Sequence, residues 1–167
     1  MKRISAAAIS SGKRQAGQGR TLKLRRILVP MDFSGQSRRA LDFAVPLARD
    51  HGGKILLLHV VEPVYPIAAY PAEMGAMPVN PPPRIKPSKA KLLALAQKLV
   101  PAELLERTIV RTGRAHLEIT AAARELKADL IALSTHGRSG LKHVLLGSTA
   151  EQVVRRAHCP VLTVRRN

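Results

Sequence analysis

The chain alternates between short aliphatic runs and longer polar segments with helical periodicity. The first aliphatic run, RILVP at residues 26–30, is typical of a short strand, and its closing proline cannot donate to a strand ladder. Apolar residues then recur at spacings of three and four over residues 40–48, which predicts a helix capped by Ser34 or Ser37. Pro46 lies inside this helix and is expected to kink it or to shift its start.

The same alternation continues along the rest of the chain. Residues 54–61, KILLLHVV, are almost continuously aliphatic, as expected for a strand covered by helices on both faces, and His59 is expected to be a satisfied core histidine. The remaining predicted elements are strands at 105–111, 130–134 and 161–164, and helices at 88–100, 115–126 and 148–157. Five strands with helical crossovers predict an α/β fold of the flavodoxin-like kind: a doubly wound five-stranded parallel sheet, strand order 3-2-1-4-5, with helices on both faces.

Residues 62–87 interrupt this alternation. They contain eight of the twelve prolines, which is incompatible with a regular helix or strand. We therefore predict a long proline-rich surface loop, which is either a lid or an insertion that varies freely. No residue in it indicates chemistry, which favours the insertion.

The formal net charge of +17 would indicate a nucleic-acid or anionic partner if it were spread evenly. However, residues 1–26 hold eight basic residues and no acidic one, which leaves +9 for the rest. We predict a disordered basic extension over residues 1–24, whose composition also fits an organelle transit peptide, and one folded domain over residues 25–167. Because no aromatic residue interleaves with the basic residues of the extension, we predict no nucleic-acid binding beyond weak electrostatic attraction to it.

The single cysteine, Cys159, excludes an internal disulfide framework and a cysteine-based zinc finger, and it fits a reducing compartment. We expect it to be a small buried apolar residue. No apolar run approaches the roughly 18 residues of a membrane span, and residues 1–8 lack the apolar core of a signal peptide. These features predict a soluble cytoplasmic protein with no membrane partner.

The predicted topology places a ligand crevice beyond the carboxyl ends of the first and fourth strands, where the winding direction reverses. Residues 30–34 follow the first strand and residues 134–149 follow the fourth. The second segment contains Gly137, Gly140 and Gly147. Their backbone N–H groups could approach a phosphate, and the helix that begins near Ser148 would direct its positive end there. Neither G-x-G-x-x-G nor a P-loop is present, and glycine spacing alone leaves a tight connection without ligand equally open.

Several side chains at this crevice have two interpretations. Asp32 either caps the following helix or binds a ligand, and Arg138 and Lys142 either neutralise phosphate or are ordinary exposed cations. His136 and His143 have no Cys, Asp or Glu beside them at metal-ligand spacing, so we expect loop hydrogen bonds and no metal. Because no nucleophile and base are paired, we predict no catalytic residue.

These segments resemble the universal stress proteins, whose ATP-binding members carry G-x2-G-x9-G-[ST] after the fourth strand. Nine residues separate Gly137 from Gly147, and Ser148 follows, so the second and third glycines match, whereas Ser134 stands in place of the first. The segments ILVPMDFS, LLLHVV, TGRAHLEI and HCPVLTV match as well. The resemblance covers residues 25–166.

The resemblance implies that the crevice binds an adenine nucleotide, ATP with or without Mg²⁺, in a stress-response or signalling role. It implies slow or no hydrolysis, so the protein is expected to be at most a weak ATPase. It implies that Asp32 binds the base or ribose and that Val60 packs on the adenine. The candidate cofactor-binding residues are Pro30, Met31, Asp32 and Val60 at the adenosine end, Leu133 and Ser134 on the floor, and Gly137, Arg138, Gly140, Gly147, Ser148 and Thr149 at the phosphates.

The last predicted strand, residues 161–164, would lie at the edge of the sheet. An uncharged aliphatic edge needs a partner, and the resemblance implies antiparallel pairing of this strand across a two-fold axis to form a homodimer. The alternative function is a ligand-free homodimeric interaction module of the same fold, in which Ser134 has closed the site.

Overall fold

The computed structural model describes residues 23–63, 85–135 and 147–165 and confirms the predicted α/β fold. The strands in these ranges are β1 (Arg26–Pro30), β2 (Lys54–Val61), β3 (Leu105–Thr112), β4 (Leu130–Ser134) and β5 (Val161–Val164). The helices are α1 (Gly35–Asp50), α2 (Ile85–Leu99), α3 (Ala115–Glu125) and α4 (Ser148–Arg156). The five strands are parallel and have the predicted order β3-β2-β1-β4-β5.

The sheet separates two apolar cores, because successive residues of a strand point to opposite faces. The core shared with α1 and α2 includes Ile27, Val29, Ile55 and Leu57. The core shared with α3 and α4 includes Leu28, Leu56, Leu58 and Ile131. Each of these side chains is almost completely buried, which is worth about 1.5–3 kcal/mol per residue. Burial on both faces explains why β1 and β2 are continuously aliphatic.

Helix α1 begins where its sequence provides a cap. Ser34 occupies the N-cap position, and its hydroxyl accepts a hydrogen bond of 3.1 Å from the backbone N–H of Ser37. Of the two predicted capping residues, Ser34 is therefore the cap. The helix runs from Gly35 to Asp50 through Pro46, so the expected shift of its start is wrong. Pro46 is exposed, which allows water to reach the carbonyl that its missing N–H leaves unbonded.

Helix α2 begins at Ile85, three residues earlier than predicted, so the end of the predicted loop over residues 62–87 is wrong. Pro87 lies in the first turn of this helix, where a backbone N–H has no intrahelical acceptor and a proline therefore costs no hydrogen bond. Residues 64–84 of the predicted loop lie outside the described residues, as do residues 1–22 of the predicted extension.

The turn between α1 and β2 packs directly on Leu24, which lies two residues before β1. A Cβ atom on Gly53 would lie 2.0 Å from the carbonyl oxygen of Leu24, a distance no side chain tolerates. The buried Leu24 and the backbone bond from Lys54 N–H to the Arg25 carbonyl (2.8 Å) belong to the same contact. Position 53 therefore requires glycine, since backbone meets backbone there. Within the described ranges, no helix has the length and apolar character needed to cross a bilayer.

Candidate functional site

The carboxyl ends of β1, β2 and β4 lie at one edge of the sheet, as the parallel pairing of these strands requires. Val60 and Leu133 both pack with the core on the side of α3 and α4. Helix α4 also begins at this edge, because the Gly147 N–H donates to the Thr135 carbonyl directly after β4 (2.6 Å). The structure thus brings together residues of three strands and one helix that the sequence placed in the crevice.

Asp32 follows β1 and is half-buried at this edge. Its Oδ1 accepts hydrogen bonds from the Ser34 N–H (2.9 Å) and the Ser34 hydroxyl (2.5 Å). Burial acts to raise the pKa of Asp32, but the hydrogen bonds from Ser34 and Ser37 outweigh burial, and the net effect lowers the pKa. The carboxylate is therefore ionised at neutral pH. The interpretation that Asp32 itself caps α1 is wrong, because Ser34 is the cap.

Met31 and Pro30 complete the end of β1. The Met31 side chain is 3% exposed and belongs to the core with α1 and α2. Its N–H donates to the Leu58 carbonyl (2.7 Å), and its carbonyl accepts from the His59 ring. Both backbone groups of Met31 thus make hydrogen bonds within the protein, which fix the position of this residue beside Asp32. Pro30 is half-buried beside Leu58 of β2.

Phe33, which the sequence did not indicate as a site residue, has a left-handed backbone and contacts two other side chains, His59 and Lys91. Its φ of 64° lies in the left-handed region, which costs a non-glycine residue roughly 1–2 kcal/mol. The Phe33 ring lies 4.3 Å from the His59 ring, with 43° between their planes, and the Lys91 ammonium is 4.4 Å from the Phe33 ring centroid. His59 Nδ1 lies 2.6 Å from the Met31 carbonyl and must donate, because a carbonyl only accepts. His59 is the satisfied histidine that the sequence predicted.

The other side of the crevice is formed by the end of β4 and the start of α4. Ser134 is half-buried and Thr135 is buried. Gly147 is the N-cap of α4, and within the described residues no side chain caps this helix. Its first-turn amides therefore depend on backbone, water or a ligand for hydrogen bonds. Ser148 is exposed and Thr149 half-buried in this turn. The predicted residues Gly137, Arg138 and Gly140, with His136, Lys142 and His143, lie outside the described residues.

Two other kinds of chemistry find no support in residues 23–63, 85–135 and 147–165. No group of three His, Cys, Asp or Glu side chains comes together there in a way that could hold a metal ion. Cys159 is half-buried, and burial together with the nearby Asp129 carboxylate raises the pKa of its thiol. A raised pKa disfavours the reactive thiolate, so we assign Cys159 no chemistry.

Comparison with known proteins identifies the family. The model of the universal stress protein family matches residues 23–165. The chain belongs to this family. Universal stress protein MJ0531 of Methanocaldococcus jannaschii is 33% identical over 149 residues, which cover 85% of this chain and 82% of the relative. The resemblance inferred from the motifs is therefore confirmed.

Solved structures of universal stress proteins share the fold. The structure of MJ0577 from Methanocaldococcus jannaschii aligns with a TM-score of 0.67 at 26% identity, covering 87% of this chain and 98% of that one. A universal stress protein crystallised in complex with cAMP aligns with a TM-score of 0.58 at 26% identity, covering 84% and 95%. The five-stranded sheet in the order β3-β2-β1-β4-β5 is thus the fold of this universal stress protein.

Proposed function

We propose that this universal stress protein binds an adenine nucleotide, ATP with or without Mg²⁺, at the ends of β1, β2 and β4 and the start of α4. The observation that carries the proposal is the pairing of two complementary groups at one sheet edge. One is the ionised carboxylate of Asp32, and the other is the N-terminus of α4 without a side-chain cap. A nucleotide carries hydroxyl and amine donors at one end and an anion at the other, which matches this pair.

Each described residue has a definite task in the proposed complex. Asp32 accepts a hydrogen bond from the ribose or base, and its hydrogen bonds with Ser34 keep the carboxylate in one orientation. The half-buried Val60 supplies apolar surface for the base, and the buried Leu133 forms the floor of the site. The first-turn amides of α4 and the Ser148 and Thr149 hydroxyls donate to phosphate, helped by the helix dipole. The universal stress protein solved with cAMP supports an adenine nucleotide as the ligand class.

The proposed role is signalling or stress response with slow or no hydrolysis. Efficient phosphoryl transfer needs carboxylates for metal ions and a group that positions the attacking water. Asp32 is the single acidic residue in the two segments 30–34 and 134–149, and the proposed complex uses it for adenosine. Nucleotide occupancy, more than turnover, would then carry the signal to a partner.

The test is calorimetric titration of the nucleotide-stripped protein with ATP and with ADP. Saturable binding is expected, together with its loss in Asp32→Ala, because the variant removes the acceptor for the adenosine end. Asp42→Ala is the matched control, since Asp42 is an exposed carboxylate on α1, and it should bind like the wild type. The absence of heat with folded wild-type protein at millimolar ATP would contradict the proposal.

A second candidate, the ligand-free homodimeric module, is favoured by β5. In the described residues this strand pairs with β4 on one side, and its first three residues are partly exposed aliphatic or hydroxyl side chains. We propose antiparallel pairing of two copies of β5. Sedimentation velocity should show a dimer that Thr163→Lys converts to monomer, since charge on an edge strand opposes pairing. If Ser134 closes the site, Ser134→Gly should bind ATP where the wild type does not.

A further inference from the structure

Phe33, His59 and Lys91 form an aromatic and cationic cluster beside the candidate nucleotide site. We propose that this cluster fixes the orientation of Asp32, and that Lys91 on α2 is a positioning residue for nucleotide binding that acts without touching the nucleotide. The inference rests on the proposed function, which it deepens by assigning a residue outside the two segments that follow β1 and β4. Three observations carry it.

The first observation is the backbone of Phe33. This residue separates Asp32 from Ser34, and the hydrogen bonds from the Ser34 N–H and hydroxyl to Asp32 Oδ1 span it. With φ at 64°, Phe33 has the left-handed backbone that a bulky residue rarely adopts. Relaxation of Phe33 to an ordinary conformation would separate these groups. The orientation of the Asp32 carboxylate therefore depends on something that holds Phe33 in place.

The second observation is that one side of the Phe33 ring is anchored on the sheet. The ring packs at 4.3 Å against the His59 ring of β2. His59 is itself fixed, because its Nδ1 donates to the carbonyl of the buried Met31 at 2.6 Å. This arrangement ties the aromatic pair to the ends of β1 and β2, so the ring has a rigid support on that side.

The third observation is the cation on the ring. The Lys91 ammonium lies 4.4 Å from the Phe33 ring centroid, although Lys91 is an exposed residue of α2 with water available to its charge. Lys89, two residues earlier and also exposed, has no hydrogen bond, ion pair or ring contact with any described residue. The contact of Lys91 is thus specific to its position. A cation over an aromatic face at an exposed site gives a modest attraction, and here this attraction stabilises the position of the Phe33 ring from the side of α2.

The test measures binding of adenosine, AMP and ATP to Lys91→Met, Lys91→Arg and the matched control Lys89→Met. Lys91→Met should weaken all three ligands about two- to fivefold and by the same factor, because a positioning residue does not sense the phosphates. Lys91→Arg keeps the cation and should restore wild-type affinity, and Lys89→Met should bind normally. A loss that grows from adenosine to ATP, or no loss at all, would overturn the inference.

A second measurement needs no nucleotide. Hydrogen exchange of the Ser34 and Ser37 amides reports the bonds that they donate to Asp32 Oδ1 and Ser34 Oγ. Both amides should exchange faster in Lys91→Met and in Phe33→Leu, and the double variant should resemble the Phe33 variant, as expected for residues that act together. Unchanged exchange would overturn the inference. If the wild type binds no adenine ligand, the proposed function fails, and exchange still decides whether Lys91 holds Asp32.

Discussion

Helices α1 and α4 begin at the same edge of the sheet, after the neighbouring strands β1 and β4, and yet their first turns differ. At α1 the Ser34 hydroxyl bonds to the Ser37 N–H, and Asp32 in turn accepts from Ser34. At α4 the N-cap is Gly147, which has no side chain to offer, and its own N–H donates to the Thr135 carbonyl. Side chains of its own segment complete the start of α1, whereas no described side chain caps the start of α4. This difference is the reason that the proposed complex places the phosphates at the start of α4.

The largest effect is expected from adding a carboxylate at the start of α4. Gly147 has φ −64° and ψ 150°, which any residue adopts, so Gly147→Asp introduces no backbone strain. The new carboxylate can cap α4 and raise stability by a few tenths of a kcal/mol, but it opposes phosphate and should weaken ATP binding at least about tenfold. Calorimetry and urea unfolding measure the two effects, whose signs should be opposite.

The uncharged variant Gly147→Asn separates charge from shape in that experiment. It provides a similar cap without a negative charge, so its stability should match that of Gly147→Asp and its loss of ATP affinity should be smaller. Equal losses of affinity in the two variants would show that the side chain blocks the site by its size, which would contradict the electrostatic interpretation.

Removal of the cap of α1 should cost stability. Ser34→Ala leaves the Ser37 N–H without its acceptor and Asp32 without its hydroxyl donor, so the free energy of unfolding should fall by about 1 kcal/mol. The same substitution at the other helix start, Ser148→Ala, removes no cap and should change stability by less than about 0.5 kcal/mol. Similar losses at both positions in urea denaturation would remove the distinction between the two starts.

The hydrogen bonds on Asp32 also predict a pH dependence. Because the folded pKa of Asp32 is lowered, its contribution to stability is complete above the ordinary aspartate pKa of about 3.9. It is lost as the pH falls through the lowered folded pKa. Asp32→Asn cannot titrate, so the difference in unfolding free energy between wild type and variant should shrink as the pH is lowered below about 4. A constant difference across this range would contradict the prediction.

The smallest effect concerns the acidic residue in the first turn of α4. Glu151 pairs with Arg155 at 3.1 Å on the exposed surface, an i,i+4 pair worth about 0.3–0.5 kcal/mol. Glu151→Gln should lower stability by about that amount at low salt, and the loss should largely vanish at high salt because exposed charges are screened. A loss in thermal unfolding that is independent of salt would assign Glu151 a different role.

The strands could be predicted because most of them are short runs of aliphatic residues, which burial in the sheet requires. The aliphatic run of β2 reflects helices on both faces, and the sheet order follows from the crossovers. The start of α2 was misplaced because Pro87 normally ends a helix but is harmless in its first turn. The sequence does not distinguish Ser34 from Ser37 as the N-cap, because both lie close to the start of the helix. The hydrogen bond from the Ser37 N–H to the Ser34 hydroxyl identifies the cap.

The strand ends and the helix start that form the candidate site could be predicted from the sequence. The contacts of Phe33 that support it could not. Asp32, Val60 and Leu133 follow from topology and the family motif, whereas Met31 was selected by the same motif although its side chain is buried in the core on the other face. Lys91 lies on a helix far from Phe33 in the chain, and its charge resembles that of every other surface lysine. The left-handed backbone of Phe33 could not be predicted either, because phenylalanine rarely adopts this conformation.

The contact of Gly53 with Leu24 has a practical consequence for attaching reporters. Strand β1 spans about 17 Å between that contact and the segment that holds Asp32, so a fluorophore or tag joined just before Lys23 would lie at the opposite edge of the sheet from the crevice. Strand β5 is parallel to β1, so its last residue, Val164, lies at the edge that holds the site, where its carbonyl accepts a hydrogen bond from the Thr135 N–H. A reporter attached just before Lys23 should therefore leave the crevice accessible, whereas a reporter attached directly after Arg165 should crowd it.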